Sequence, residues 1–298
     1  MDPIEINENG PYLVYKPGYT AEFVRQTLLD RGLTGMHVRA AGLDETLDDL
    51  EFLREFSFLT QLQLNAIPSA DYDYEFLSEL TALEHLTVNV WLLPGVKAKR
   101  LNLAPLAALK SLNLNWREEI AGLEHLARLE VLRLQEHRGE DLRSISMLSG
   151  LKTLFVATST IRSVSGIEHL RELDTLTLGA CRRLSDLDGL ATLERLRVLR
   201  LASCSKVTDL RPLSKLPELT DLTLEDCPKL ASVAPLATLP LRSLRLVGTS
   251  EIGDADTTPL AHVPNLTYHH RKHYNVRIPT PLADAVSAET LRKLRGLP

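Results

Sequence analysis

The side chains best suited to metal or acid–base chemistry in this chain are few. His269, His270 and His273 form an H-H-x-x-H run, and Asp254 and Asp256 bracket an alanine shortly before it. A zinc site needs three or four converging ligands. No carboxylate or thiolate stands at a spacing that completes the histidines, so they read as a solvated loop. The two aspartates lack the remaining oxygen ligands of a calcium loop. Adjacent Glu–His pairs recur at Glu84-His85, Glu124-His125, Glu136-His137 and Glu168-His169. They fail as acid–base dyads because neighbouring residues of a strand point to opposite faces. No nucleotide-binding glycine loop, metalloprotease helix motif or nucleophile elbow occurs. The sequence therefore reads as non-catalytic, with no cofactor and no metal.

Cys181, Cys204 and Cys227 remain. Three cysteines cannot form a closed set of internal disulfides, and a reducing cytoplasm is the simplest home for them. A formal net charge of −5 gives no basic field for nucleic acid. No run of about 18 apolar residues suggests a membrane span, and the acidic N-terminus does not read as a secretory leader. The excess of Arg over Lys, 24 to 10, fits a GC-rich bacterial source. At 298 residues and 44% apolar content the chain can bury a large core. Leucine supplies 61 of the residues against 5% aromatic. A core built mainly from one residue type points to one packing problem solved many times.

The repetition is explicit. The pattern L-x-x-L-x-L recurs eleven times, from Leu33/Met36/Val38 through Leu173/Leu176/Leu178 and Leu196/Leu199/Leu201 to Val263/Leu266/Tyr268. Middle residues follow one another at intervals of 20 to 26, and of 22 or 23 throughout the second half. In x-L-x-L-x the two leucines face one side of a strand and the x residues the other. Between strands the period changes to three, as in Leu187/Leu190/Leu193/Leu196, which suits short 3-10 pieces returning to the next parallel strand. No single repeat can bury its leucines alone, so stability comes from stacking.

These residues resemble the leucine-rich repeat family over about 33–270, and specifically its 22-residue phosphatase-regulator and internalin-like class. The resemblance implies an α/β solenoid, a horseshoe with a parallel concave sheet and short convex 3-10 returns. It also implies a ladder of polar residues three positions after the second strand leucine. Here that position holds Ile67, Trp91, Arg117, His137, Ser159, Cys181, Cys204, Cys227 and Thr249. The cysteines are accordingly read as small buried ladder residues.

A solenoid needs caps at both ends. Residues 1–32 read as an N-terminal cap. It holds a hairpin around Asn9-Gly10 and a helix from about Ala21 to Asp30, capped by Thr20 and stopped by Gly32, with Phe23, Leu28 and Leu29 as its apolar contacts. Residues 271–298 read as a C-terminal cap with a short helix opened by Ser287. Two early repeats are long, and extra length goes to loops on one face. Tyr72, Tyr74 and Trp116 are the loop residues suited to a ligand.

The outward strand positions form the surface that can act. Around the middle they place Phe155 beside Val131 and Val198, flanked by Arg133 and Arg200. Ala157, Gly179 and Ala202 form a small-residue floor, and Thr177, Thr223 and Arg245 follow. The N-terminal third is amide-rich. An outward aromatic among arginines over small residues has the composition of an interface anchor. The expectation is a monomeric scaffold with a protein partner on its concave face. The rivals are a small-molecule site or enzyme in the early loops, and a self-associating solenoid.

Overall fold

The computed structural model describes residues 4–7, 10–16, 18–39, 50–66, 74–90, 101–116, 120–227 and 229–278. Two compact units divide the chain, Met1–Glu136 and His137–Pro298.

The first unit opens with an antiparallel hairpin, β1 (Ile4–Asn7) and β2 (Gly10–Tyr15). Asn7 faces Gly10 across it, so Gly10 begins β2 rather than lying in the turn. Helix α1 (Ala21–Arg31) follows. The Thr20 hydroxyl accepts the Phe23 N–H at its start, and Gly32, at φ 60°, ends it in the left-handed region that favours glycine. The helix buries Val24 and Leu28. Phe23 and Leu29 are 46% and 60% exposed, against the expected contacts. Phe23 instead sets its ring edge-on to Tyr19.

The remaining strands of this unit are β3 (Gly35–Arg39), β4 (Gln61–Ala66), β5 (His85–Val90), β6 (Leu101–Asn102), β7 (Ser111–Asn115), β8 (Ile120–Ala121) and β9 (Val131–Gln135). β2, β3, β4, β5, β7 and β9 pair in parallel and in register, Met36 beside Leu62, Leu62 beside Leu86, Leu112 beside Leu132. β6 and β8 form a separate pair.

The second unit repeats the plan with β10 (Thr153–Ala157), β11 (Thr175–Gly179), β12 (Val198–Ala202), β13 (Asp221–Glu225), β14 (Lys229–Leu230), β15 (Ser243–Val247), β16 (Glu251–Ile252) and β17 (Asn265–Tyr268). β10, β11, β12, β13, β15 and β17 form its parallel sheet, with Leu154, Leu176, Leu199, Leu222, Leu244 and Leu266 aligned. β14 and β16 make a two-stranded pair. Short 3-10 returns run at Asp188–Thr192 and Arg211–Lys215, where Leu187, Leu190, Leu193 and Leu196 are all buried as the three-residue period predicts. Both units are thus leucine-rich-repeat solenoids. Each buried leucine contributes roughly 1.5–3 kcal/mol, which the stack multiplies.

The ladder is visible at the turns leaving the strands. Glu136, Thr158, Ala180, Ser203 and Asp226 take positive φ values of 50–58°, and the next residue turns inward. His137, Ser159, Cys181, Cys204 and Cys227 occupy that inward position and are buried. Each cysteine lies within weak hydrogen-bonding reach of a carbonyl of the preceding strand, Cys204 Sγ to Leu178 O at 3.4 Å and Cys227 Sγ to Leu201 O at 3.6 Å. The last ladder position differs from expectation. Thr249 is exposed, and Ser250 fills the place, its hydroxyl donating to Leu224 O and accepting the Cys227 N–H. Gly248 holds the left-handed turn at φ 68°, and one extra residue follows it. Ladder residues Ile67, Trp91 and Arg117 lie outside the described residues, as does the helix expected after Ser287.

Candidate interaction surface

Strand alternation sends every second residue of the second unit's sheet outward onto its inner face. The register then fixes neighbours across strands about 4.8 Å apart. Phe155 on β10 aligns with Thr177 on β11, Arg200 on β12, Thr223 on β13 and Arg245 on β15. One pleat along, Ala157, Gly179 and Ala202 align in a second row; one pleat back, Thr153, Thr175 and Val198 do so. Phe155 is half-buried beside this row of small residues. Nothing larger than a methyl group rises from the row, so the ring borders a shallow trough. Arg200 and Arg245 are exposed and make no ion pair among the described residues. Both therefore keep their charge and their donors for a ligand. Asp221 and Glu225 lie between them on β13, so the local charge is mixed.

The sequence assigns eight residues to this face, and six of them, Phe155, Thr177, Val198, Arg200, Thr223 and Arg245, lie on the strands of the second unit. Val131 and Arg133 lie on β9 of the first unit, where they too face outward beside Ser111 and Asn113 of β7.

The loop candidates fare differently. Tyr74 is only 4% exposed and leads into the 3-10 turn Glu75–Glu79. It belongs to the core, because the apolar period of three begins at its own position and not after it. Tyr72 lies outside the described residues. Trp116 is half-buried, its backbone N–H held by Gln135 O at 2.7 Å.

The inner face of the first unit differs in kind. Outward residues of β3, β4, β5 and β7 are histidines, amides, hydroxyls, one glycine and Arg39, with no aliphatic or carbocyclic aromatic residue among them. His37 is 5% exposed, and burial pushes its imidazole pKa down to about 4, helped by the Arg39 charge. Its ring is therefore neutral. The Asn65 amide donates to His37 Nε2 at 2.8 Å, which leaves the proton on Nδ1.

Among the described residues no group of three or more His, Cys, Asp or Glu side chains is arranged to hold a metal ion. Asp254 and Asp256 use their carboxylates on the backbone, accepting the N–H of Asp256 and of Thr258. His273 instead contacts Glu251 at 3.1 Å, and Glu124 lies 3.6 Å from His125 on the exposed surface. His137 is the one Glu–His member drawn inward. It fills a ladder position with Ser144 Oγ 3.3 Å from Nε2, and burial lowers its pKa. A hollow opens among the outer returns of the second unit, lined by Glu168, His169, Glu172, Thr192 and Arg195. No helix of the described residues is long and apolar enough to cross a membrane.

No family model and no curated protein matches the chain. Solved structures do. An internalin, inlF, from Listeria monocytogenes is 20% identical, with a TM-score of 0.53 over 86% of this chain and 91% of its own. The leucine-rich repeat domain of the type III effector XopL is 20% identical, with a TM-score of 0.51 over 80% and 84%. The Arabidopsis receptor kinase HAESA, solved with the peptide hormone IDA and the co-receptor SERK1, is 15% identical, with a TM-score of 0.55 over 78% and 42%. At these identities the likeness establishes the fold, an internalin-like leucine-rich repeat.

Proposed function

We propose that this leucine-rich-repeat chain is a non-catalytic scaffold that holds a protein partner on the inner face of its second unit. Phe155 is the apolar anchor, and Arg200 and Arg245 supply charge at the rim. One observation carries the reading: Phe155 is the sole aromatic residue facing outward on β10 to β15, and it stands next to the aligned row Ala157, Gly179 and Ala202. Protein interfaces concentrate their energy in such residues, seated in places where small neighbours admit a partner side chain. HAESA, a structure of similar fold, is solved in complex with the peptide hormone IDA, which supports a polypeptide partner. The buried, unbridged thiols of Cys181, Cys204 and Cys227 support a reducing, cytoplasmic setting. We read the free chain as a monomer, its inner face reserved for the partner.

The test is parallel affinity capture from native extract with wild-type chain and Phe155→Ala as baits, read by quantitative mass spectrometry. A protein retained by the first and depleted about thirtyfold with the second is the expected result, since an anchor contributes about 2 kcal/mol or more. Phe155→Ala should melt close to wild type, because the ring faces away from the leucine core. Identical captures by the two baits would overturn the assignment.

A further inference from the structure

The inner face of the first unit carries an unsolved hydrogen-bonding problem. His37 Nδ1, Gln61 Nε2, Asn89 Oδ1, Asn113 Oδ1 and Asn115 Oδ1 are buried and have no hydrogen-bond partner. His37, Gln61 and Asn115 are each only 5% exposed as whole residues. Buried polar groups are satisfied in the great majority of cases, and each exception calls for a cause. Here five exceptions share one face of one sheet. The inner face of the second unit has none among the described residues.

Their chemistry selects the ligand. The five groups are neutral and mixed, with two donors (His37 Nδ1–H and the Gln61 amide nitrogen) and three acceptors (the asparagine oxygens). A hydroxyl both donates and accepts, so a polyhydroxylated molecule satisfies either kind at any position. The amides are adaptable as well: the torsion at the end of an Asn or Gln side chain is broad and two-fold, so a half-turn exchanges oxygen for nitrogen. That rotation lets either polar atom of an amide face a ligand without moving the backbone. The outward residues of β3, β4, β5 and β7 include no aliphatic side chain to seat the anchors that protein interfaces use.

Spacing gives a second, independent criterion. Gln61, His85 and Ser111 align across β4, β5 and β7, as do His37, Gln63, Thr87 and Asn113 from β3 onward. The members of each row therefore repeat about every 4.8 Å across the sheet. That is close to the rise of one sugar ring along an extended glycan. An extended peptide advances only about 3.3 Å per residue and drifts out of phase after one strand. We propose that the inner face of β3, β4, β5 and β7 binds a neutral, extended oligosaccharide laid across the strands, one ring to each repeat. Gln61 and the asparagines Asn89, Asn113 and Asn115 bond its hydroxyls. This surface is separate in position and chemistry from the Phe155 site.

The test uses the full chain, an array of neutral glycans and calorimetric titration of linear hexasaccharides, with a neutral Gly-Ser hexapeptide as comparison. At least one neutral hexasaccharide should bind in the millimolar range or tighter, and its disaccharide at least about tenfold more weakly, because it spans fewer strands. Asn113→Ala and Gln61→Ala should each weaken binding at least about tenfold. Neither should lower the melting temperature, since each removes a buried group that has no partner in the free protein. Phe155→Ala should bind the sugar like wild type. Three results would each overturn the proposal: no neutral glycan bound at millimolar concentration, the hexapeptide bound in preference to every sugar, or a marked loss of stability in both amide variants.

Discussion

Gly166→Ala is a severe test of how tightly successive repeats stack. Gly166 lies just before the 3-10 return Ile167–His169, at φ 105°, where an L side chain is strained. A Cβ there would stand 2.4 Å from Arg143 N, 2.5 Å from the Leu142 carbonyl carbon and 2.6 Å from Arg143 Cα. All three are backbone atoms of the preceding return, so no side chain can swing aside. Ordinary carbon contacts lie at about 3.5–4.0 Å, and the two returns would have to part by about 1 Å. The positive φ costs about 1–2 kcal/mol and the overpacking about 1–3 kcal/mol, together about 2–5 kcal/mol. At about 2–4 °C per kcal/mol for a chain of this size, the melting temperature should fall by roughly 4–20 °C. Gly179→Ala is the matched control. Its added Cβ would meet only Ala157 Cβ, at 3.8 Å, an ordinary contact. It should leave stability within about 1 kcal/mol, tending upward because glycine is a poor strand residue. Calorimetry on both proteins decides the matter. If Gly166→Ala and Gly179→Ala melt within a degree of each other, the inferred spacing of the returns is wrong.

Further perturbations probe other levels of the structure. Leu199 is fully buried between Leu176 and Leu222; Leu199→Ala should lose about 2–5 kcal/mol in urea denaturation, and Leu199→Asp more, since it buries an unpaired charge. Cys181, Cys204 and Cys227 should resist a thiol reagent in the native protein and give three adducts per chain after unfolding. Burial pushes the Cys227 thiol up to about 12, so a fast native reaction there would contradict its ladder placement. His37 is held neutral in the fold with its pKa lowered to about 4 from an ordinary 6.5. Its stability contribution is complete above about pH 6.5 and declines as pH falls toward 4, because the unfolded chain takes up the proton first. The loss reaches about 3 kcal/mol at most, and His37→Asn should flatten that part of the stability–pH curve.

The leucine alternation made the strands, their register and the three-residue period of the returns legible from sequence, because each inward residue has one possible neighbour in the next repeat. Local exceptions were not legible. The helix α1 buries Val24 and Leu28 rather than Phe23 and Leu29, a choice set by what lies against the helix and not by its own composition. Thr249 gives way to Ser250 because one residue is inserted after the left-handed Gly248, and a fixed count of three overlooks it. Tyr74 looks like a loop aromatic beside Asp73, yet it joins the core. The outward set around Phe155 followed from alternation alone. The unsatisfied amides of the first unit did not: the sequence shows that the face is rich in Asn and Gln, but only the structure shows which atoms go without partners.

If the second unit's inner face around Phe155 holds the partner, a cross-linker on that face must capture it. A photoreactive benzophenone side chain placed at Thr177, one strand from Phe155, is irradiated in native extract. One dominant protein adduct is expected, lost when Phe155→Ala is added to the same chain. The same group at Met147, 47% exposed beside the return Arg143–Ile145, should give none of that adduct. A silent Thr177 position, or the same adduct formed more strongly at Met147, would contradict the claim.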